Sequence, residues 1–190
     1  MPYILGDRIV LREYQLADIK YMRQWANDSE ITDELSDIFL YPHSEFETES
    51  FVRKMIEGNT NSKGFVIAEK ESKEYIGQID LHRIDWKNRC ADLGVVVGRK
   101  DLIGKGYGSE AIRLMQQFVF QQLNLHRLEL EVYETNERAI RCYLKCGFHE
   151  EGRLREKYYK NGKFWDIICM SILRSEYDPS VRPLNEAPKG

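Results

Sequence analysis

The 190-residue chain has no apolar run near the ~18 residues that a membrane-spanning helix needs. Its first ten residues include Asp7 and Arg8 and lack the unbroken apolar stretch of a secretory signal. Large charge excess is missing too. The formal net charge of -3 argues against a protein that holds nucleic acid through a general phosphate field. Cysteine is scarce: Cys90, Cys142, Cys146 and Cys169 form no Cys-x-x-Cys pair, so neither a redox motif nor a zinc knuckle is indicated. No matching His or Cys pair completes a metal site. Such thiols are expected to pack as small hydrophobes in a reducing compartment, here the cytoplasm. Linkers, repeats and low-complexity blocks are also lacking. What remains is a composition of 42% hydrophobic and 31% charged residues, on a length that suits one soluble domain with a full core. That domain is expected over residues 1–178, with a loose tail at 179–190 holding Pro179, Pro183 and Pro188.

Hydrophobic periodicity supplies the elements. Arg8 to Arg12 reads as an opening strand, and Ile19, Met22 and Trp25 after Asp18 as a short amphipathic helix. A second helix is expected around Phe46 to Ile56. Between Asp28 and Glu57 nine acids face two bases, a local charge of 2 − 9 = −7. This is either a solvated helical face or an acidic lip for a cation. Strands follow at Phe65 to Glu69, Ile76 to Leu81 and Ala91 to Val97, the first two joined by a turn at Lys70 to Glu74. Gly94 inside the third strand suggests a bulge or a close approach to its backbone. A helix from Ser109 to Leu123 carries the stripe Ala111, Leu114, Met115 and Phe118. Arg127 to Tyr133 alternates as a strand. Asn136 can cap a helix that Gly147 ends. Asn161-Gly162 is a two-residue hairpin signal between strands near Leu154 to Lys160 and Lys163 to Leu173. The order implies an α+β (mixed α/β) fold with antiparallel and parallel pairing rather than a doubly wound sheet.

Strand, glycine loop and helix succeed one another over residues 95–112. Gly104, Gly106 and Gly108 leave the main chain bare before a helix N-terminus, where unpaired N–H groups and the helix dipole favour an anion; Lys105 adds a cation. The spacing is neither that of a P-loop nor that of a dinucleotide fingerprint. Read alone, the loop is either an anion site or a plain flexible turn.

With its surroundings, the loop resembles the acetyl-CoA motif of the GNAT superfamily of N-acetyltransferases, Gln/Arg-x-x-Gly-x-Gly/Ala, which falls on Ile103-Gly104-Lys105-Gly106-Tyr107-Gly108. Gly106 and Gly108 match. Ile103 stands where Gln or Arg is usual, so only main-chain contacts carry over there. Asn136-Glu137-Arg138-Ala139-Ile140-Arg141-Cys142-Tyr143-Leu144-Lys145-Cys146-Gly147-Phe148 resembles the family's Asn-x-x-Ala-x-x-x-Tyr-x-x-x-Gly-Phe block. Glu151-Gly152 and the hairpin through Asn161-Gly162 and Asp166 resemble the branch that contains ribosomal-protein N-terminal acetyltransferases and polyamine acetyltransferases. The likeness runs from about Arg8 to Tyr177.

The resemblance implies a splayed, mostly antiparallel sheet with helices on both faces. The pantetheine arm of acetyl-CoA would lie where the sheet opens, against the main chain of Val95, Val96 and Val97. Its pyrophosphate would meet residues 104–108 and cap a helix starting near Ser109. Asn136 and Ala139 would border the arm, and the acceptor amine would enter from the other face. Tyr143 is the implied acid for the leaving thiolate, and Asp92 the implied base, acting through a water. A main-chain N–H near Val95 or Val96 would meet the oxyanion. A covalent route through Cys142 or Cys146 is disfavoured, since no histidine is paired with either. The acceptor is either a small polycation such as spermidine, toward which the acidic stretch leans, or a protein N-terminus. A non-catalytic acyl-CoA sensor is the remaining alternative. Neither a metal, a nucleic acid nor a membrane is expected as partner. A homodimer through exposed strands near the C-terminal hairpin is left open.

Overall fold

The computed structural model describes residues 3–58 and 61–180, so nearly all of the expected tail lies outside the described residues. The strands are β1 (Ile4–Leu5), β2 (Ile9–Arg12), β3 (Lys63–Glu69), β4 (Tyr75–Asp85), β5 (Cys90–Val97), β6 (Arg127–Tyr133), β7 (His149–Lys160) and β8 (Lys163–Leu173). The helices are α1 (Ile19–Trp25), α2 (Ser29–Thr32), α3 (Glu45–Glu57), α4 (Tyr107–Gln117) and α5 (Glu137–Lys145). One eight-stranded sheet runs β1-β2-β3-β4-β5-β6-β8-β7. All its pairings are antiparallel except β5 with β6.

That parallel pairing is short, and it creates the site. Cys90, Ala91 and Asp92 match Arg127, Leu128 and Glu129. Beyond Asp92, β5 keeps only β4 as neighbour and β6 keeps only β8. The sheet therefore parts into a V, with its vertex at Asp92 and Glu129 and its mouth at Val97 and Tyr133.

Two cores hold the arms. One gathers Ile79, Leu81, Leu93, Leu128 and Leu130 from the sheet under α4 residues Ala111, Ile112 and Met115. The other packs Met22 and Trp25 of α1 and Val52 of α3 on Val10, Val66 and Ala68. Helices thus cover both faces. Burying each large apolar side chain contributes roughly 1.5–3 kcal/mol.

Local chemistry sets the ends. Ser44 and Glu47 form a reciprocal capping box at α3, and Gly58 closes that helix at φ 72°. Asn136 accepts from the Ala139 N–H at 3.1 Å to start α5, and Gly147 follows its end at φ 86°.

Several elements differ from the sequence reading. α4 begins at Tyr107, because Gly106 at φ 87° starts the turn two residues early. Regular α-helix stops at Gln117 and one π turn, Phe118–Gln122, completes the segment. β7 starts at His149 and loses register between Glu150 and Gly152 and between Leu154 and Tyr158, which hides its alternation. Asp18 does more than open a helix. Its carboxylate takes two bonds from Arg12, at 2.7 and 2.9 Å, and both side chains are buried. The acidic stretch is largely engaged within the protein. Asp28 and Glu30 hold Lys100, Asp33 and Glu34 hold Lys160, and Glu49 holds Arg53.

Candidate active site

A groove of ≈ 1220 Å³ runs through the V. Its walls include Asp92, Val95, Val96, Val97, Ile103, Gly104, Gly106, Tyr107, Gly108, Ser109, Asn136, Ala139 and Tyr143, which brings the expected positions together. Lys105 is the exception. It does not line the groove, and its carbonyl accepts a hydrogen bond from Arg8 Nη1 at 3.0 Å.

The glycine loop offers main-chain donors. Gly104 and Gly106 have φ 78° and 87°, left-handed values that a side chain disfavours. No side chain caps α4, and the N–H groups of Gly106, Tyr107, Gly108 and Ser109 find no acceptor among the described residues. Four donors at a helix start, unpaired and facing a groove, suit a phosphate. Arg138, Arg141 and Lys145 of α5 add positive charge to the groove wall. Arg8, which the sequence reading did not select, fixes the loop from about a hundred residues away. It pairs with buried Glu110 at 2.9 Å and lies over the Tyr107 ring at 4.4 Å. No local pattern announces such a contact.

Strand alternation sorts the walls by face. Leu93 and Val95 of β5 share the α4 face with Leu130 and Val132 of β6. Asp92 and Gly94 point the other way, and Asp92 stands level with Glu129. On that second face the groove also meets Glu131 of β6 and Asp80 of β4, the partner of Gly94. One face is apolar and ends in a turn of unpaired N–H groups; the other carries the carboxylates of Asp80, Asp92, Glu129 and Glu131, with Arg83 and Arg127 among them.

Tyr143 is 8% exposed, lines the groove, and its hydroxyl bonds to no described residue. Burial raises its phenol above the usual value, and neighbouring Cys142 and Cys146 add to this, so the proton stays on oxygen at neutral pH. Asp92 is held by Arg83 at 3.3 Å; burial and the adjacent Glu129 push its carboxyl up, against the guanidinium. His82 folds over Gly94: a Cβ there would lie 2.0 Å from His82 Nε2. This close approach is what the glycine permits. Cys142 touches Ser109 Oγ at 3.1 Å, and hydrogen bonding from Cys146 and Ser109 lowers its thiol.

The mouth of the V is bridged from the chain's first half. Thr135 Oγ1 donates to Glu34 Oε2 at 2.9 Å, and Lys160 Nζ to Glu34 Oε1 at 2.7 Å. Asn136 therefore both caps α5 and meets the Glu34 carbonyl, at 3.5 Å.

A family model described as an acetyltransferase (GNAT) domain matches residues 8–149. Spermidine N(1)-acetyltransferase of Vibrio cholerae is 31% identical over 174 residues, spanning 91% of this chain and 97% of that protein. The Escherichia coli K12 protein of the same name is 28% identical over 170 residues, spanning 89% of this chain and 88% of its own length. Among solved structures, spermidine N-acetyltransferase from Vibrio cholerae in complex with CoA and spermine aligns with a TM-score of 0.78 at 30% identity, covering 89% of this chain and 97% of that one.

Proposed function

The chain belongs to the GNAT acetyltransferase family and is an acetyl-CoA-dependent N-acetyltransferase; on that footing we propose that its acceptor is a polyamine and that acetyl passes directly from the thioester to a primary amine. The observation that carries the reading is the V itself, with unpaired N–H groups at its phosphate end and carboxylates on its opposite face. The diphosphate of CoA would sit on the N–H groups of residues 106–109. The arm would take the main-chain groups of Val95, Val96 and Val97 on the side where β5 has no neighbour. A face lined with carboxylates offers ion-pair partners to the ammonium groups of a polycation. The two relatives named for spermidine and the neighbour bound to spermine favour the same class.

In this scheme Tyr143 gives its proton to the departing thiolate, whose conjugate acid has a pKa of about 8.5. Asp92 remains a candidate to receive the amine's proton, next to its Arg83 partner. Cytoplasmic location and self-association along the open edge of β7 belong to the same proposal; a monomer by sedimentation at micromolar protein would remove the second.

The test is CoA-thiol release on spermidine, spermine, a monoamine and a peptide N-terminus. Polyamines should turn over best. Their KM should rise several-fold between about 0.05 and 0.5 M salt, because salt screens the acidic face. A salt-independent KM, or turnover of the peptide alone, would rule the polyamine out.

A further inference from the structure

Three carboxylates in the described residues are buried: Asp18, Asp80 and Glu110. Asp18 has Arg12 at 2.7 Å and Glu110 has Arg8 at 2.9 Å. Asp80, 4% exposed, has no cation among the described residues. The acids of the groove's acidic face repeat the contrast. Asp92 is held by Arg83, Glu129 by Arg127 and Glu131 by Lys157, while Asp80 stands without a counter-ion. A buried carboxylate is retained without a cation only at a cost, and here the open side of the group is the groove.

The fold makes a place for it. Asp80 pairs in register with Gly64 on one side and Gly94 on the other. A Cβ on Gly64 would lie 1.9 Å from Asp80 Oδ1, so only glycine admits the carboxylate there. Tyr14 Oη donates to Oδ1 at 2.5 Å, and the partner of Oδ2 is Gln78 Nε2, at a long 3.4 Å. One oxygen is thus fixed from behind and the other is weakly engaged.

Resting on the reading of the groove as an amine acetyltransferase site, we infer that Asp80 is the catalytic residue that seats the acceptor's ammonium and takes its proton, with Tyr14 as its positioning residue. The substrate supplies the missing cation. The ammonium passes one N–H proton to the Asp80 carboxylate, leaving a neutral amine. The amine lone pair then forms the C–N bond at the thioester carbonyl and the C–S bond breaks. The sulfur takes the Tyr143 phenol proton, and the second proton on nitrogen restores that phenol through solvent. Asp80 finally releases its proton to water. The sum is ammonium plus acetyl-CoA giving amide, CoA thiol and one proton.

Burial pushes the Asp80 carboxyl up to about 7, against the bonds from Tyr14 and Gln78, which suits a base working near neutrality. The titratable groups that act on it are Tyr14 from the segment after β2 and Tyr75 on its own strand, and the buried Arg12–Asp18 pair acts on Tyr75 in turn; His82 lies over Gly94, the partner of Asp80 on β5, with Asp92 beside it. Trp25 of α1 and Phe51 of α3, which pack there, carry no charge.

The experiment is kcat/KM against pH on spermidine and on the amine panel, for wild type, Asp80→Asn and Tyr14→Phe, with acetyl-CoA affinity by calorimetry as the check on folding. Wild type should lose kcat/KM below about pH 7. Asp80→Asn should lose roughly 10²–10⁴-fold, show no acidic limb and bind acetyl-CoA as wild type does. Tyr14→Phe should move the limb to higher pH, since it removes a bond that favours the carboxylate. A loss under about threefold in Asp80→Asn, or an unmoved limb in both variants, overturns the assignment. So does a limb that vanishes in Asp92→Asn and stays in Asp80→Asn. If wild type uses another amine but not spermidine, the polyamine reading falls and Asp80 is judged on that amine. A wild type inert to every amine overturns both.

Discussion

Gly106 is held at φ 87°, and the four N–H groups at and after it find no partner among the described residues. A side chain there costs roughly 1–2 kcal/mol in left-handed backbone. Its Cβ would also approach Arg8 Nη2 at 3.3 Å, and Arg8 anchors the loop. Gly106→Ala should therefore weaken acetyl-CoA by about tenfold in calorimetry, while KM for the amine stays put. Unchanged acetyl-CoA affinity would mean that the diphosphate sits elsewhere. Tyr143 makes the opposite prediction. Its hydroxyl bonds to nothing described, so Tyr143→Phe removes a proton and little packing. It should lower kcat roughly 10²–10⁴-fold and leave acetyl-CoA affinity alone. A kcat within a factor of three of wild type would strip Tyr143 of the role.

β2 and α1 are joined through one buried ion pair. Asp18 takes both terminal nitrogens of Arg12 and the Gln15 N–H at 2.8 Å, and Arg12 also reaches the carbonyls of Glu13 and Lys73. Removing one partner leaves a desolvated guanidinium, a loss of about 3 kcal/mol or more. Asp18→Ala should lower Tm by roughly 6–12 °C for a domain of this size. A thermal melt showing a drop under about 3 °C would mean that water rescues Arg12. Apolar spacing is enough to locate this helix and β6, and cap and turn residues locate α5 and the Asn161-Gly162 hairpin, because each carries its own period or its own stop. The expected start of β7 at Leu154 falls five residues after the observed one at His149. Two register breaks disturb its alternation, and a strand at the sheet edge with little burial leaves no hydrophobic trace.

Stability of the whole protein should register the unneutralised acid in the groove. With its carboxyl raised from 3.8 to about 7, Asp80 keeps a proton in the folded protein that the unfolded chain releases. The sign follows: stability is complete below about pH 4, declines as pH climbs to about 7, and stays reduced above. The full effect is on the order of 4 kcal/mol. Asp80→Asn still accepts from Tyr14 but cannot ionise. Its Tm should exceed that of wild type at pH 8, and the gap should close by about pH 4.5. A Tm difference that is the same at both pH values would show that Asp80 does not titrate between them. An acid kept at the expense of stability is a common mark of a working site.

The glycine turn, the candidate tyrosine and the family motifs are readable in order along the chain. Glycines at alternate positions before a helix, and Asn and Gly bounding the next one, act through local backbone rules that need no distant partner. Where charge would be neutralised depended on the tertiary structure. The acidic stretch from Asp28 to Glu57 looks free in sequence, yet Lys100 and Lys160 come from far along the chain to meet it. Asp80 and Asp92 look alike in sequence. Only the pairing of β4 with β3 and β5 gives one an arginine and leaves the other facing the groove between two glycines. Local patterns fix the conformation of short segments, but the neighbours of a charge are set by which strands lie side by side.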